Sequence, residues 1–69
     1  MKIIKVIEVI ATSDSSFDDA ARNALAEACK SVQNIKSIYI KDMTAKVEND
    51  KITSFGVTAK ISFGVDTQK

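Results

Sequence analysis

The sequence predicts an α+β fold of order βαββ: a three-stranded antiparallel sheet with one helix packed on one face. Three observations carry this. Residues 2–11, KIIKVIEVIA, are dense in β-branched side chains. Behind Ser16, apolar residues recur at helical spacing as far as Val32. Residues 52–65 alternate apolar with small or polar groups without a break. The chain reads as a single domain, 1–69, because it has no proline, only two glycines and no repeat or low-complexity run to mark a linker.

The first strand carries apolar groups on both faces, Ile4, Val6 and Ile10 on one and Ile3, Ile7 and Val9 on the other. It is therefore either central in its sheet or laid against a neighbouring subunit. Thr12 to Ser16, TSDSS, is a loop, since short polar side chains compete for backbone hydrogen bonds. Ser16 is a good helix N-cap, with Asp18 and Asp19 in the first turn where the helix dipole favours negative charge. Phe17, Ala20, Ala21, Ala24, Leu25, Ala28 and Val32 form the apolar stripe. Its alanines let the helix approach a sheet closely, and it is expected to end near Val32.

Residues 36–47 form the second strand, with Ile38 and Ile40 on one face and Ser37, Tyr39, Lys41 and Met43 on the other. Glu48 to Lys51 is a turn, because Asn49-Asp50 can enter the left-handed region. In the last strand Phe55, Val57, Ala59, Ile61, Phe63 and Val65 face the core. One helix cannot shield three strands on both sides. The face carrying Ser37, Tyr39, Ser54, Gly56 and Thr58 is therefore solvated, paired with another subunit or a ligand platform.

Length and composition narrow the function. A chain this short buries only about 60% of the surface its unfolded form exposes, and such folds rely on disulfides, metals or association. Cys29 is the one cysteine and there is no histidine, which excludes an internal disulfide and the ordinary Cys/His zinc sites. Oligomerisation is the expected support. Hydrophobic residues at 45% and charged ones at 28% argue against disorder. A net charge of +1 offers no electrostatic footprint for nucleic acid or an anionic membrane, and no apolar run is long enough for a transmembrane helix. The expected setting is cytoplasmic.

The residue inventory argues against an enzyme, and no catalytic residue is assigned. Cys29 has no histidine to act as its base and reads as a small, partly buried hydrophobe. Ser13, Ser15 and Ser16 also lack a base and serve the cap and turn. Asp14, Asp18 and Asp19, and Glu48 with Asp50, lack the spacing of a calcium loop, so no metal ligands are assigned; a cation shared between subunits stays open. Gly56 sits inside a strand pattern, where glycine marks a bulge, a tight subunit contact or a close approach by a ligand.

The chain resembles the dodecins, small βαββ proteins that assemble into hollow dodecameric shells and bind flavins. The resemblance spans nearly the whole sequence: Lys5-Val6-Ile7-Glu8, Thr12-Ser13, Ser16-Phe17, the Ala20-Ala21 helix, Ser31-Val32, Asn34-Ile35, and Val57-Thr58-Ala59-Lys60-Ile61 leading to Phe63. It implies a homododecamer holding FMN, riboflavin or FAD. In flavin-binding dodecins a tryptophan near the start of strand two stacks on the isoalloxazine ring, and a glutamine on strand three bonds its polar edge. By position these correspond to Ser37 and Gly56. Both differ here, so flavin binding is expected to be weak or absent. Tyr39, two residues on, lies on the same face as Ser37, and Thr58 lies on the same face as Gly56. Ser37, Tyr39, Gly56 and Thr58 are the candidate ligand residues. The implied function is a binding and storage shell; the alternative is a flavin-free assembly with a structural, cation-binding or other small-ligand role.

Overall fold

The computed structural model describes residues 2–66, in the order β1 (Lys2–Ser13), α1 (Phe17–Ala28), β2 (Ile35–Glu48) and β3 (Lys51–Asp66). The three strands form one antiparallel sheet in the order β1-β3-β2. β3 is therefore central. β1 and β2 both run opposite to it and so parallel to one another, which requires a long crossover between them. α1 supplies that crossover.

Asn49 and Asp50 take φ of 53° and 64°, in the left-handed region, closing a two-residue β2–β3 turn whose backbone twist matches the right-handed twist of the strands it joins. Ser16 caps α1 as expected, its hydroxyl accepting from the Asp19 amide at 3.0 Å. Ser13, the last residue of β1, is buried beneath this turn. Its hydroxyl donates to Asp19 Oδ2 at 2.7 Å and accepts from the Ser15 amide at 2.9 Å. Phe17 meets Phe55 edge-on, ring centres 5.0 Å apart, and ties the start of α1 to the sheet.

The core is small. Ala20, Ala24 and Ala28 of α1 press on Val57, Ala59 and Ile61 of β3, and among the described residues these six are the buried hydrophobic ones. α1 lies over β1 and β3 and reaches β2 only at its margin. At about 1.5 Å per residue its 12 residues span ~18 Å. The molecule is 57 Å long, so much of the β2–β3 hairpin projects past the helix. The radius of gyration is 14.5 Å, whereas a compact chain of this length would have about 11 Å.

Several sequence expectations change. The first strand runs two residues past Ala11, to Ser13. It is an edge strand, so of the two placements its apolar faces allowed, the central one is excluded. α1 ends at Ala28 rather than near Val32. The chain winds on through tighter bonds, Lys30 N to Glu27 O and Ser31 N to Ala28 O, until Asn34 turns it out at φ 62°. Cys29, the C-cap, is exposed rather than partly buried, because the helix stops before its next turn could cover it. Met43 changes face. Lys41 is an extra residue in β2, between Ile40, which pairs Ala59, and Asp42, which pairs Thr58; from there on the alternation is reversed. Met43 thus opposes the buried Val57 on the helix side.

Candidate functional site

The face of the sheet turned away from α1 is bare, and the register arranges it in rows across β1, β3 and β2. Val6, Ser62 and Ser37 form one row; Glu8, Lys60 and Tyr39 the next; then Ile10, Thr58 and Asp42; then Thr12, Gly56 and Thr44. All four candidate residues, Ser37, Tyr39, Gly56 and Thr58, lie on this face. β3 contributes the short Gly56, Thr58 and Ser62 with Lys60 among them, while β1 contributes the apolar Ile4, Val6 and Ile10. Tyr39 is 64% exposed and is the aromatic residue of this face.

Within one protomer the four residues divide into two groups. Tyr39 is diagonal to Thr58, since its partner Lys60 is two residues from Thr58 on β3. Ser37 and Gly56 do not meet. The partner of Ser37 is Ser62, six residues from Gly56 along β3, which at about 3.3 Å per residue separates them by ~20 Å. A single ring system is too short to touch both positions of one chain, so a ring in contact with both takes them from different copies.

Each position has a local physical account. Ser37 Oγ and Ser62 Oγ share a hydrogen bond of 2.6 Å, so the hydroxyl is engaged across the strands. Gly56 is not at a bulge, because its pairing with Thr12 and Thr44 is regular. Its φ is not positive. A Cβ built there would stand 3.2 Å from Thr44 Oγ1, so the glycine gives room to a threonine hydroxyl leaning over the strand. Of the readings its position in a strand allowed, the bulge is excluded, and the close approach seen within the chain is that of the Thr44 side chain.

Sequence reading missed an ion pair on this face. Lys41, the bulged residue, reaches across β3 to Glu8, Nζ to Oε2 at 3.6 Å, with both side chains about half exposed. The available signal was Glu8 itself, the one acid in the Ile4-Val6-Ile10 series. The partner was illegible because a bulge leaves no mark in composition. At this exposure the pair is worth at most about 1 kcal/mol, so it orients the surface more than it holds the fold.

The remaining chemistry-bearing residues lie elsewhere. Ser13, Ser15 and Ser16 are committed to the β1–α1 turn. Among the described residues no three acidic or cysteine side chains converge as metal ligands would. Asp19 is held by Ser13, and Glu48 lies 3.8 Å from Lys46. No described helix is long and apolar enough to cross a membrane.

A single amphipathic helix laid over a long three-stranded sheet, with the opposite face bare and rich in hydroxyls, defines a small βαββ binding-protein fold. The chain belongs to the dodecin family, whose model matches residues 3–66. Among solved structures it is similar to a Thermus thermophilus protein at 20% identity, covering 99% of this chain and 100% of that one, TM-score 0.92. It is similar to the dodecin of Streptomyces davaonensis at 23% identity, 94% and 96% coverage, TM-score 0.88. Calcium dodecin of Mycobacterium tuberculosis, described as calcium-chelating with a novel calcium-binding site, is 28% identical over 97% of this chain and 96% of that one, TM-score 0.80. No curated protein sequence matches the chain.

Proposed function

We propose that this dodecin is the subunit of a closed homo-oligomer, a dodecamer on the family pattern, which holds a small ligand between copies without transforming it. The observation that carries the reading is the bare sheet face, where Tyr39 and a field of hydroxyls sit beside exposed isoleucine and valine. Ser37, Tyr39, Gly56 and Thr58 are its ligand residues. The ~20 Å between Ser37 and Gly56 within one chain favours a site completed by a second copy.

The residues present fit a flavin poorly. Ser37 offers no ring to stack on and its hydroxyl is bonded to Ser62, while Gly56 offers no amide. FMN, riboflavin and FAD are therefore weak ligands or none, with Tyr39 the remaining aromatic contact. This mismatch supports the second reading, a flavin-free assembly whose ligand is another small molecule or a cation. The single thiol accords with a cytoplasmic setting.

Purified protein distinguishes the readings. The expected result is a colourless oligomer by light scattering that quenches riboflavin fluorescence only weakly. A stable folded monomer at micromolar concentration would refute the assembly. A yellow preparation, or tight quenching, would refute the altered site.

A further inference from the structure

Lys41 and Glu8 stand on strands that do not touch. β1 and β2 flank β3 at about 4.8 Å on either side, so their backbones run about 10 Å apart. The ion pair between them, Nζ to Oε2 at 3.6 Å, therefore lies over β3 on its bare face. Register places the crossing. Glu8 opposes Lys60, and the bulged Lys41 adjoins Asp42, the partner of Thr58. The pair thus passes between Lys60 and Thr58, beside Tyr39, which opposes Lys60 from β2.

Glu8 has Lys60 directly across the strand, the position from which opposite charges ordinarily pair. It pairs with Lys41 instead, and Lys60 joins none of the ion pairs seen among the described residues. This row therefore holds two ammonium groups for one carboxylate. Asp42 stands in the next row, opposite Thr58, and forms an ion pair with neither lysine. Tyr39 adds an exposed aromatic ring next to Lys60. An aromatic plane beside two cations suits a ligand that carries a flat ring and an anionic group: the ring stacks on Tyr39 and the anion reaches the ammonium groups over β3.

We propose that Glu8 is an internal competitor for this site, its carboxylate holding the place at Lys41 that the anionic group of an aromatic ligand takes. The bulge makes this arrangement, because it turns Lys41 onto the bare face toward Glu8. The pair is half exposed and loose, so it opens readily. A ligand anion replaces one carboxylate by another at Lys41 and releases Glu8 to solvent. A neutral ring must part the pair and puts nothing in its place. Glu8 thus sets how far the face prefers anionic to neutral ligands. This rests on the reading of the bare face as the ligand surface and names the class of ligand it takes.

The test compares two fluorescent probes that share one ring system: anilinonaphthalene sulfonate, an aromatic anion, and phenylnaphthylamine, which lacks the sulfonate. Each is titrated into the full chain and into Glu8→Gln, Lys41→Met and Tyr39→Ala, all at exposed positions outside the core. Glu8→Gln should tighten the anionic probe by about three- to fivefold, the range for a half-exposed pair, and the neutral probe by less than about twofold. Lys41→Met keeps an apolar stem and leaves Glu8 in place; it should weaken the anionic probe by a similar factor. Tyr39→Ala should weaken both probes. If Tyr39→Ala weakens both while Glu8→Gln and Lys41→Met leave their affinity ratio at the wild-type value, the competitor role of Glu8 is overturned and the ligand face stands. Binding of both probes unchanged by Tyr39→Ala would sink the reading of the bare face itself. A chain that binds neither probe, as wild type or as Glu8→Gln, overturns the proposal as well.

Discussion

Restoring the two groups that flavin-binding dodecins place at positions 37 and 56 tests the candidate site most directly. Ser37→Trp supplies a stacking ring, worth about 0.5–1.5 kcal/mol beyond area burial. It also breaks the Ser37–Ser62 hydrogen bond, an exposed contact whose loss water compensates. Gly56→Gln supplies an edge amide worth about 0.5–1.5 kcal/mol. The backbone accepts it because φ is not positive, and the new Cβ needs only a few tenths of an ångström from Thr44 Oγ1 at 3.2 Å. Since 1.4 kcal/mol is about tenfold, each single substitution should tighten riboflavin binding by roughly two- to tenfold.

The double variant is decisive. Sites more than about 10 Å apart add within ~0.5 kcal/mol, and these two lie ~20 Å apart in one chain. If each protomer acted alone, the double gain would be the product of the single gains. If a second copy completes the site, one ring meets both groups, and the double gain should exceed that product several-fold. Flavin-fluorescence quenching measures all four proteins, with light scattering to confirm that each is assembled. An assembled double variant with only the product of the single gains, or no gain, would refute the placement of Ser37 and Gly56 at one site. Gly56→Gln in a Thr44→Ala background removes the one steric objection.

Further outcomes follow from packing. Ile61→Ala, at a fully buried position of the small core, should cost about 2–5 kcal/mol in urea unfolding, the largest loss for one aliphatic side chain here. Ser13→Ala leaves the Ser15 amide and Asp19 without their partner and should cost about 1–3 kcal/mol, read as a lower urea midpoint with the same denaturant slope. Cys29→Ala, at an exposed helix cap, should change stability by no more than about 0.5 kcal/mol; a larger loss would mean that assembly buries the thiol. Asp50→Gly should stabilise the hairpin by up to about 1 kcal/mol, because glycine enters the left-handed region without the Cβ clash.

The parts legible in the sequence are those decided by neighbours along the chain. Phe55 to Val65 alternate without an intervening bulge, so a period of two assigned their faces directly. Ser16 and Asn49-Asp50 act through their own backbone, and cap and turn were readable from residue type alone. The common face of Ser37, Tyr39, Gly56 and Thr58 followed from counting within each strand. What lay beyond reach depends on residues distant in sequence. The central place of β3 is a matter of which strands pair, and nothing in the composition of β1 distinguishes an edge covered by another copy from a buried centre. The extra residue at Lys41 moved Met43 to the helix side and sent Lys41 across to Glu8, because pairing with β3, not local propensity, decides where a bulge sits. The ~20 Å between Ser37 and Gly56 likewise emerges only from strand register: sequence specifies the face, and pairing specifies the distance along it.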